Sequence, residues 1–243
     1  MISIICWKWK KSANESRYRE TYTAEHVNIF AAMVKRNLQL EHEIVCITDD
    51  AAGINKDVRV IPIWDDLAVY GYCYRRLKLF DRKISGAFSN RIVSMDLDCV
   101  ILKDITSLFD NNHDFMIWDS GNSSYCGSMF MFNKGTYSYL WDNFDVKDLT
   151  WSVDMGGWSV GKSDRWVHVP SVKAGFRVGS DQAYISYKVG KVPVWKKQDG
   201  IYNFRKLNSL PNNAKIVFFP GKHDPTHKEL YTLNPWIEEH YHD

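Results

Sequence analysis

The chain has 243 residues, of which 45% are hydrophobic and 25% charged, a length and composition that suit one large α/β domain. The 31 lysines and arginines nearly balance the 29 acids, which leaves a formal net charge of +2. The sequence shows no basic stripe that would follow a nucleic-acid backbone, so we expect no nucleic-acid partner.

The amino-terminal sequence argues against a targeting or membrane segment. The apolar run at 1–6 is too short for the hydrophobic part of a signal peptide, and lysines follow where a cleavage site would be needed. No run approaches the ~18 apolar residues of a membrane span. We therefore expect a soluble, cytoplasmic protein. The five cysteines lack C-x-x-C spacing, which favours buried thiols over a zinc site.

In chain order, apolar runs at 2–9, 43–48 and 58–63 predict strands, and helical spacing over 24–40 predicts a helix between the first two. Further helices are predicted over 74–80, 137–144, 181–188 and 235–240, and strands over 91–98, 115–118, 128–132 and 214–219. Residues 151–179 have little periodicity and predict an irregular segment that contacts substrate. The pattern indicates an open α/β sheet in one domain, with ligands outside the carboxyl ends of its strands.

The strongest chemical signal is the apolar run 91–98, which ends in Asp96 and Asp98. In an extended chain, residues i and i+2 face the same side, so the two carboxylates can converge on one point. Mg²⁺ or Mn²⁺ suits such a point and neutralises a pyrophosphate as a Lewis acid. Two acids at a strand end are nevertheless more often solvated turn residues, so the context of the pair has to decide.

That context is a series of segments in a fixed order: CWKW at 6–9, EIVCITDD at 43–50, RLKLF at 76–80 and MDLDCVILKDITSLF at 95–109. Together they resemble GT-A-fold glycosyltransferases of the family 8-like branch, including small bacterial and viral members. In that branch the D-x-D pair precedes an apolar stretch and a D-[IL]-x-x-L-[FW] pattern. The resemblance spans most of the chain and is weakest over 145–175.

The resemblance implies a Rossmann-like GT-A domain over 1–243, with an open mixed sheet flanked by helices. Residues 1–100 would bind the nucleotide, and 101–243 the sugar and acceptor. The implied reaction moves a sugar from a UDP- or GDP-sugar to a hydroxyl of a glycan or another acceptor, with Mn²⁺ or Mg²⁺ as cofactor.

Particular positions match the family's donor-binding residues. The implied nucleotide and donor contacts are Trp7, Lys8, Thr48, Asp49, Asp50, Arg76, Asp96 and Leu97. For Asp49 and Asp50, a turn or a helix cap is an equally good interpretation. The segment SYCGSMFMF at 124–132 resembles the family's strand of small residues beside the donor sugar, which implies contacts from Gly127 and Ser128.

The segment GSDQ at 179–182 resembles the family's D-Q pair at the reacting sugar. Asp181 would be a general base in an inverting enzyme, whereas in a retaining enzyme the leaving phosphate takes the proton and Gln182 stabilises positive charge at the sugar carbon. The sequence leaves both mechanisms open, as well as a helix cap.

The segment IVFFPGKHDP at 216–225 resembles the family's terminal F-H-G-x-x-K-P, with departures. Pro220 occupies the position of the metal-binding histidine and Asp224 that of the phosphate-binding lysine, while Gly221 is kept. Lys222 and His223 can supply the same groups from shifted positions. The predicted metal ligands are therefore Asp96, Asp98 and His223.

Two other functions compete with the glycosyltransferase. One is a non-catalytic protein on the same fold that binds nucleotide sugars or carbohydrates, which the departures at 220 and 224 favour. The other is a phosphoryl-transfer enzyme, against which the sequence has neither a D-x-D-x-T motif nor a P-loop. We place acceptor contacts at Trp151, Trp158 and Trp166, for which structural packing is an equally good interpretation.

Overall fold

The structure is a computed structural model that describes residues 1–10, 22–67, 70, 72–151, 166–176 and 180–243. In chain order its elements are β1 (Ile2–Lys8), α1 (Ala24–Asn37), β2 (His42–Thr48), β3 (Arg59–Pro62), α2 (Tyr72–Arg75), α3 (Arg82–Ser85), β4 (Arg91–Met95), β5 (Cys99–Ile101), α4 (Thr106–Phe109), β6 (Phe115–Trp118), β7 (Cys126–Asn133), α5 (Tyr139–Asp142), β8 (Leu149–Trp151), β9 (Trp166–His168), α6 (Val169–Lys173), α7 (Asp181–Val189), β10 (Val194–Trp195), β11 (Ile201–Asn203), β12 (Ile216–Phe218) and α8 (Trp236–His240).

A seven-stranded sheet with the order β10-β6-β7-β4-β1-β2-β3 lies at the centre of the domain. Strands β4, β1, β2 and β3 are parallel, and β7 runs antiparallel to its neighbours β4 and β6. Strand β10 is parallel to β6. The carboxyl ends of six strands and the amino end of β7 therefore meet at one edge of the sheet. This mixed α/β sheet flanked by helices confirms the predicted fold class.

Both faces of the sheet are covered, which explains why its central strands are continuously apolar rather than alternating. On one face, α1 buries Val27, Phe30 and Val34 in a cluster that also holds β5, β12 and α8. On the other face, Phe80 stacks 5.8 Å from Phe130 in a cluster that includes α7. Strands β11, β12 and β5 form a separate three-stranded sheet.

Several predicted elements differ from those observed. The strand predicted to run through Asp98 ends at Met95, so residues 96–98 form the passage from β4 into the second sheet. The helix predicted over 74–80 is one turn of α2 followed by a 3₁₀ helix at Arg76–Phe80. The helix predicted over 137–144 is limited to α5, since Tyr137 has a positive φ of 57°. The tertiary contacts of these segments outweigh the local spacing of apolar residues.

The segment predicted to be irregular, 151–179, contains β9 and α6 in its described part. Residues 152–165 and 177–179, which include Trp158, lie outside the described residues. The thiols of Cys6, Cys46 and Cys99 are buried, as the sequence predicts. Within the described residues, no helix combines the length and apolar character needed to cross a membrane.

Candidate functional site

One guanidinium gathers four other predicted site residues at the edge of the sheet. Nη1 of Arg76 donates to Asp96 Oδ1 and to the Gly127 carbonyl, each at 2.8 Å. Nη2 and Nε of Arg76 lie 3.1 and 2.8 Å from the two carboxylate oxygens of Asp181. The Gly127 N–H in turn donates to Gln182 Oε1 at 3.1 Å. We call these five residues the Arg76 network.

The Arg76 network is a buried cluster of charges. Arg76 is 6% exposed and Asp181 is fully buried. Burial raises the pKa of the Asp181 carboxyl, and the guanidinium beside it opposes that effect. Burial by itself lowers the pKa of Arg76, but the carboxylates of Asp181 and Asp96 outweigh it and raise that pKa well above its usual value. A buried charge is costly without good partners, so the three side chains depend on one another.

The backbone explains why a glycine stands in this network. Gly127 lies at the amino end of β7, where the strand passes directly over Arg76. A Cβ atom at this position would lie 3.1 Å from Arg76 Nη2 and 3.3 Å from Gln182 Cβ, tighter than an ordinary contact. Asp181 and Gln182 occupy the first turn of α7, where free backbone N–H groups favour a carboxylate.

Asp96 and Asp98 occupy different environments. The side chain of Asp96 is 26% exposed, and its backbone N–H donates to Ser128 O at 2.9 Å. The side chain of Asp98 is buried, and its carbonyl accepts from the Phe219 N–H at 2.8 Å. Burial raises the pKa of the Cys99 thiol, and both carboxylates raise it further, so the two negative charges lie close to the start of β5.

The chemistry of this pair fits a hard divalent cation. Carboxylate oxygens are preferred ligands of Mg²⁺ and Mn²⁺, and Mg²⁺ is commonly held by one or two carboxylates together with substrate phosphates. Among the described residues, no three His, Cys, Asp or Glu side chains are grouped in a way that would hold a metal. The donor chemistry of Asp96 and Asp98 suits such a cation, which would take its remaining ligands from phosphate and water.

The loop that follows β12, residues 220–223, is hereafter the terminal loop. It begins beside Asp98, because β12 pairs antiparallel with β5 and places Phe218 opposite Cys99. Gly221 has a φ of +91°, and a Cβ there would also lie 3.2 Å from Arg205 Nη1. Glycine is suited to this position on both counts.

The other predicted residues of the terminal loop are less enclosed. Lys222 is exposed, and the ring of His223 packs edge-on against Phe204 with centroids 5.6 Å apart. Burial and the charge of Lys222 both lower the pKa of His223. The structure brings the loop beside the D-x-D segment, but it does not group His223 with Asp96 and Asp98.

The predicted residues at the ends of β1 and β2 bond mainly to each other. Buried Lys8 donates to the Asp50 carbonyl at 2.6 Å. Thr48 Oγ1 donates to the same carbonyl at 2.9 Å and accepts from the Asp50 N–H at 3.0 Å. Asp49 Oδ2 accepts from the Lys10 N–H at 2.8 Å. These contacts describe a turn that ties the two strand ends together.

Trp7 is a core residue, and two half-buried tryptophans pack against it nearer the protein surface. The Trp7 ring is 3% exposed, and its Nε1 donates to Ser94 Oγ at 3.0 Å. Half-buried Trp9 and Trp64 pack edge-on against it at 5.9 and 6.2 Å, and the Arg75 guanidinium lies 5.7 Å from the Trp9 ring. The sequence analysis missed Trp64, although it directly follows the predicted strand 58–63.

Two of the three tryptophans proposed for the acceptor, Trp151 and Trp166, lie in the two-stranded β8–β9 sheet. Rings of Trp151 and Trp166 meet edge-on at 5.7 Å, and Trp166 also meets Tyr70 at 5.3 Å. Both indoles are half-buried, so they combine packing with partial access.

Comparison with known proteins relates this geometry to a fold. No protein-family model and no curated protein matches the chain. Among solved structures, the galactosyltransferase LgtC in complex with donor and acceptor sugar analogs matches at 13% identity and a TM-score of 0.57, over 98% of this chain and 96% of that chain. An active-site glutamine-to-glutamate mutant of LgtC matches at 13% identity and 0.56, over 98% and 94%. The chain therefore has the GT-A fold of LgtC.

Proposed function

We propose that this chain is a glycosyltransferase that moves a sugar from a nucleoside-diphosphate sugar to a hydroxyl of a glycan or another acceptor, assisted by a divalent cation. The observation that carries the proposal is the Arg76 network, which joins the D-x-D segment to Asp181 and Gln182 at the ligand-binding edge of an α/β sheet. The two LgtC structures support the proposal. One holds donor and acceptor sugar analogs, and the other carries an active-site glutamine-to-glutamate mutation.

Donor binding in this proposal uses different parts of the edge. Trp9 and Trp64 offer half-buried rings to the nucleobase beyond the ends of β1 and β3. Asp96 and Asp98 would hold the cation, which neutralises the charge that develops on the departing diphosphate. The exposed ammonium of Lys222 approaches the same phosphates from the terminal loop.

The burial of Asp181 supports a retaining reaction. A general base has to reach the acceptor hydroxyl within hydrogen-bond distance, whereas the Asp181 carboxylate is fully buried and faces Arg76 with both oxygens. We propose that Asp181 holds Arg76 and that a departing phosphate oxygen accepts the acceptor proton. In this proposal Gln182, whose Oε1 accepts from the Gly127 N–H, would contact the donor sugar beside the small residues at the start of β7.

Titration of the purified protein with UDP- and GDP-sugars, with and without Mn²⁺, tests the proposal, followed by measurement of donor hydrolysis. We expect binding to require the metal. Asp98→Ala should remove metal-dependent binding, and Asp98→Asn serves as the conservative partner if the alanine variant is unstable. Asp104→Ala, an exposed acid further along the same segment, is the matched control and should bind as the wild type does.

A specific observation also favours a non-catalytic protein that binds nucleotide sugars. Arg76 already donates to Asp96, so one carboxylate of the predicted metal pair is engaged by a protein cation. Tight binding without Mn²⁺, combined with no hydrolysis or transfer, would support this second function and contradict the first.

A further inference from the structure

Asp224 is a buried acid at a position where the sequence resemblance leads to a lysine. Its side chain is 11% exposed, and Oδ1 accepts from the Thr226 N–H at 3.0 Å and from the Thr226 hydroxyl at 2.8 Å. The same oxygen lies 3.5 Å from Nε2 of His26. Burial raises the pKa of Asp224, but the contacts from His26 and Thr226 outweigh it and bring that pKa to about 2. These three contacts commit the Asp224 carboxylate to partners in Thr226 and His26.

His26 connects this acid to the first turn of α1. Its Nδ1 accepts from the Thr23 N–H at 3.1 Å, in a capping box at the start of the helix. The other ring nitrogen of His26, Nε2, faces Asp224 Oδ1 at 3.5 Å. A continuous chain of contacts thus runs from the cap of α1 through His26 and Asp224 to Thr226.

The terminal loop spans the distance between two fixed points. At one end, the Phe219 N–H donates to the Asp98 carbonyl at 2.8 Å, beside the D-x-D segment. At the other end, Asp224 is held against α1. The four residues between them, 220–223, are half-buried or exposed, and they include the glycine at positive φ and Lys222. Phe219 and Asp224 therefore mark the two bonded ends of the loop.

The negative charge of Asp224 also indicates a structural role rather than direct contact with the diphosphate. A carboxylate that faced a diphosphate would repel it, and Asp224 is close in sequence to the lysine that we place at the phosphates. Its contacts with His26 and Thr226 direct its negative charge to α1 instead.

We infer that Asp224 is a positioning residue that anchors the terminal loop to α1 through His26 and so presents Gly221 and Lys222 to the donor's diphosphate. The predicted effect on diphosphate binding rests on the proposed function. The anchoring itself is a property of the free protein and can be measured separately.

The test compares Asp224→Ala, Asp224→Asn and His26→Gln with Asp104→Ala. Asp104 is a matched control, because its Oδ1 accepts from the Thr106 N–H at 2.8 Å in the same Asp-x-Thr turn, but on the surface. The first readout is amide hydrogen exchange of residues 219–223 in the free protein. The second is the Kd for UDP and GDP with Mn²⁺, and the third is the division of the effect between KM and kcat.

We expect faster exchange over 219–223 in the Asp224 variants and a Kd about tenfold higher in Asp224→Ala, which corresponds to the loss of one charge-assisted hydrogen bond. Asp224→Asn should show a smaller increase, because its amide oxygen still accepts from Thr226. KM should rise with little change in kcat. Asp104→Ala should match the wild type in every readout.

Unchanged exchange over 219–223 in folded Asp224→Asn and His26→Gln would overturn the anchoring, even if Asp224→Ala fails to fold. Faster exchange with an unchanged Kd would overturn the link to the diphosphate. A wild-type protein that binds neither UDP nor GDP would instead contradict the proposed function, and the exchange data would still decide whether Asp224 anchors the loop.

Discussion

Two regions on the same edge of the sheet use charged residues in different ways. At the ends of β1 and β2, Thr48 bonds to Asp50 within a short turn, and Lys8 from the neighbouring strand donates to the backbone carbonyl of Asp50 rather than to a buried carboxylate. At the ends of β4 and β7, Arg76 draws together carboxylates from 20 and 105 residues away in the chain. The first arrangement closes a turn, while the second commits three charges to a buried cluster.

The difference separates structural acids from functional candidates. A turn acid keeps contact with water and costs little, so a fold needs no further reason to hold it. Buried charges are expensive, and an apolar cluster of similar volume is often at least as stable. We therefore place greater functional weight on the Arg76 network than on the β1–β2 turn, and substitutions in the two regions can test this ranking.

The largest effect is expected from Arg76→Met. This change leaves the buried carboxylate of Asp181 without its cation, so the free energy of unfolding should fall by about 3–5 kcal/mol in urea denaturation, and donor hydrolysis should be lost. Arg75→Met is the adjacent control and should cost about 1 kcal/mol or less, because Arg75 contacts a half-exposed ring. An Arg76→Met protein as stable as the control would remove the distinction between the two regions.

The next effect concerns Asp224 and acid. Its folded pKa of about 2 lies below the unfolded value of about 3.9, so the unfolded state binds more protons between these limits. The carboxylate should therefore contribute about 2–3 kcal/mol above pH 5, of which roughly half remains at pH 3. Urea unfolding of the wild type and Asp224→Asn at pH 6 and pH 3 measures this. A difference between the two proteins that does not narrow on acidification would contradict the assigned contacts.

A moderate effect is expected from Gly127→Ala. The added methyl group meets Arg76 Nη2 at 3.1 Å, so the network has to shift, and unfolding should become easier by about 1–2 kcal/mol. The rate of donor hydrolysis should fall even under conditions where the variant remains folded, because Gln182 loses its fixed position. Gly86→Ala, where nothing lies within 4 Å of the added atom, is the control. Equal hydrolysis in both variants would argue that the geometry around Arg76 is not critical.

The smallest effect is expected from Asp49→Ala and Asp50→Asn. Each removes contacts from a solvated turn, so the midpoint of urea denaturation should stay close to that of the wild type. Nucleotide titration separates the turn from the ribose-binding role that the sequence resemblance implies for these acids. A Kd that rises as much as in the Arg76 variant would place both regions in the donor site.

Local patterns were sufficient for the strands of the sheet but not for the shorter helices. Prediction of 2–9 and 43–48 as strands agrees with β1 and β2 to within one residue at each end, because buried parallel strands are continuous apolar runs. The segment 74–80 has helical spacing, yet it folds as α2 and a 3₁₀ helix that places Arg76 beneath Gly127. The switch from α-helix to 3₁₀ helix depends on packing against strands that are distant in the chain, and the local spacing of apolar residues carries no information about that packing.

The sequence by itself determined the α/β class, the order of the longer helices and strands, and the acids that follow strands, since these depend on local periodicity and on where apolar runs end. Only the tertiary structure decided which charged side chains meet. It places Trp7 in the core and leaves Trp9 and Trp64 half-buried, and it brings the Asp224 carboxylate next to His26. The physical reason is that burial and charge pairing depend on residues that are far apart in the chain. They meet only in the folded protein, where an unpaired buried charge is costly.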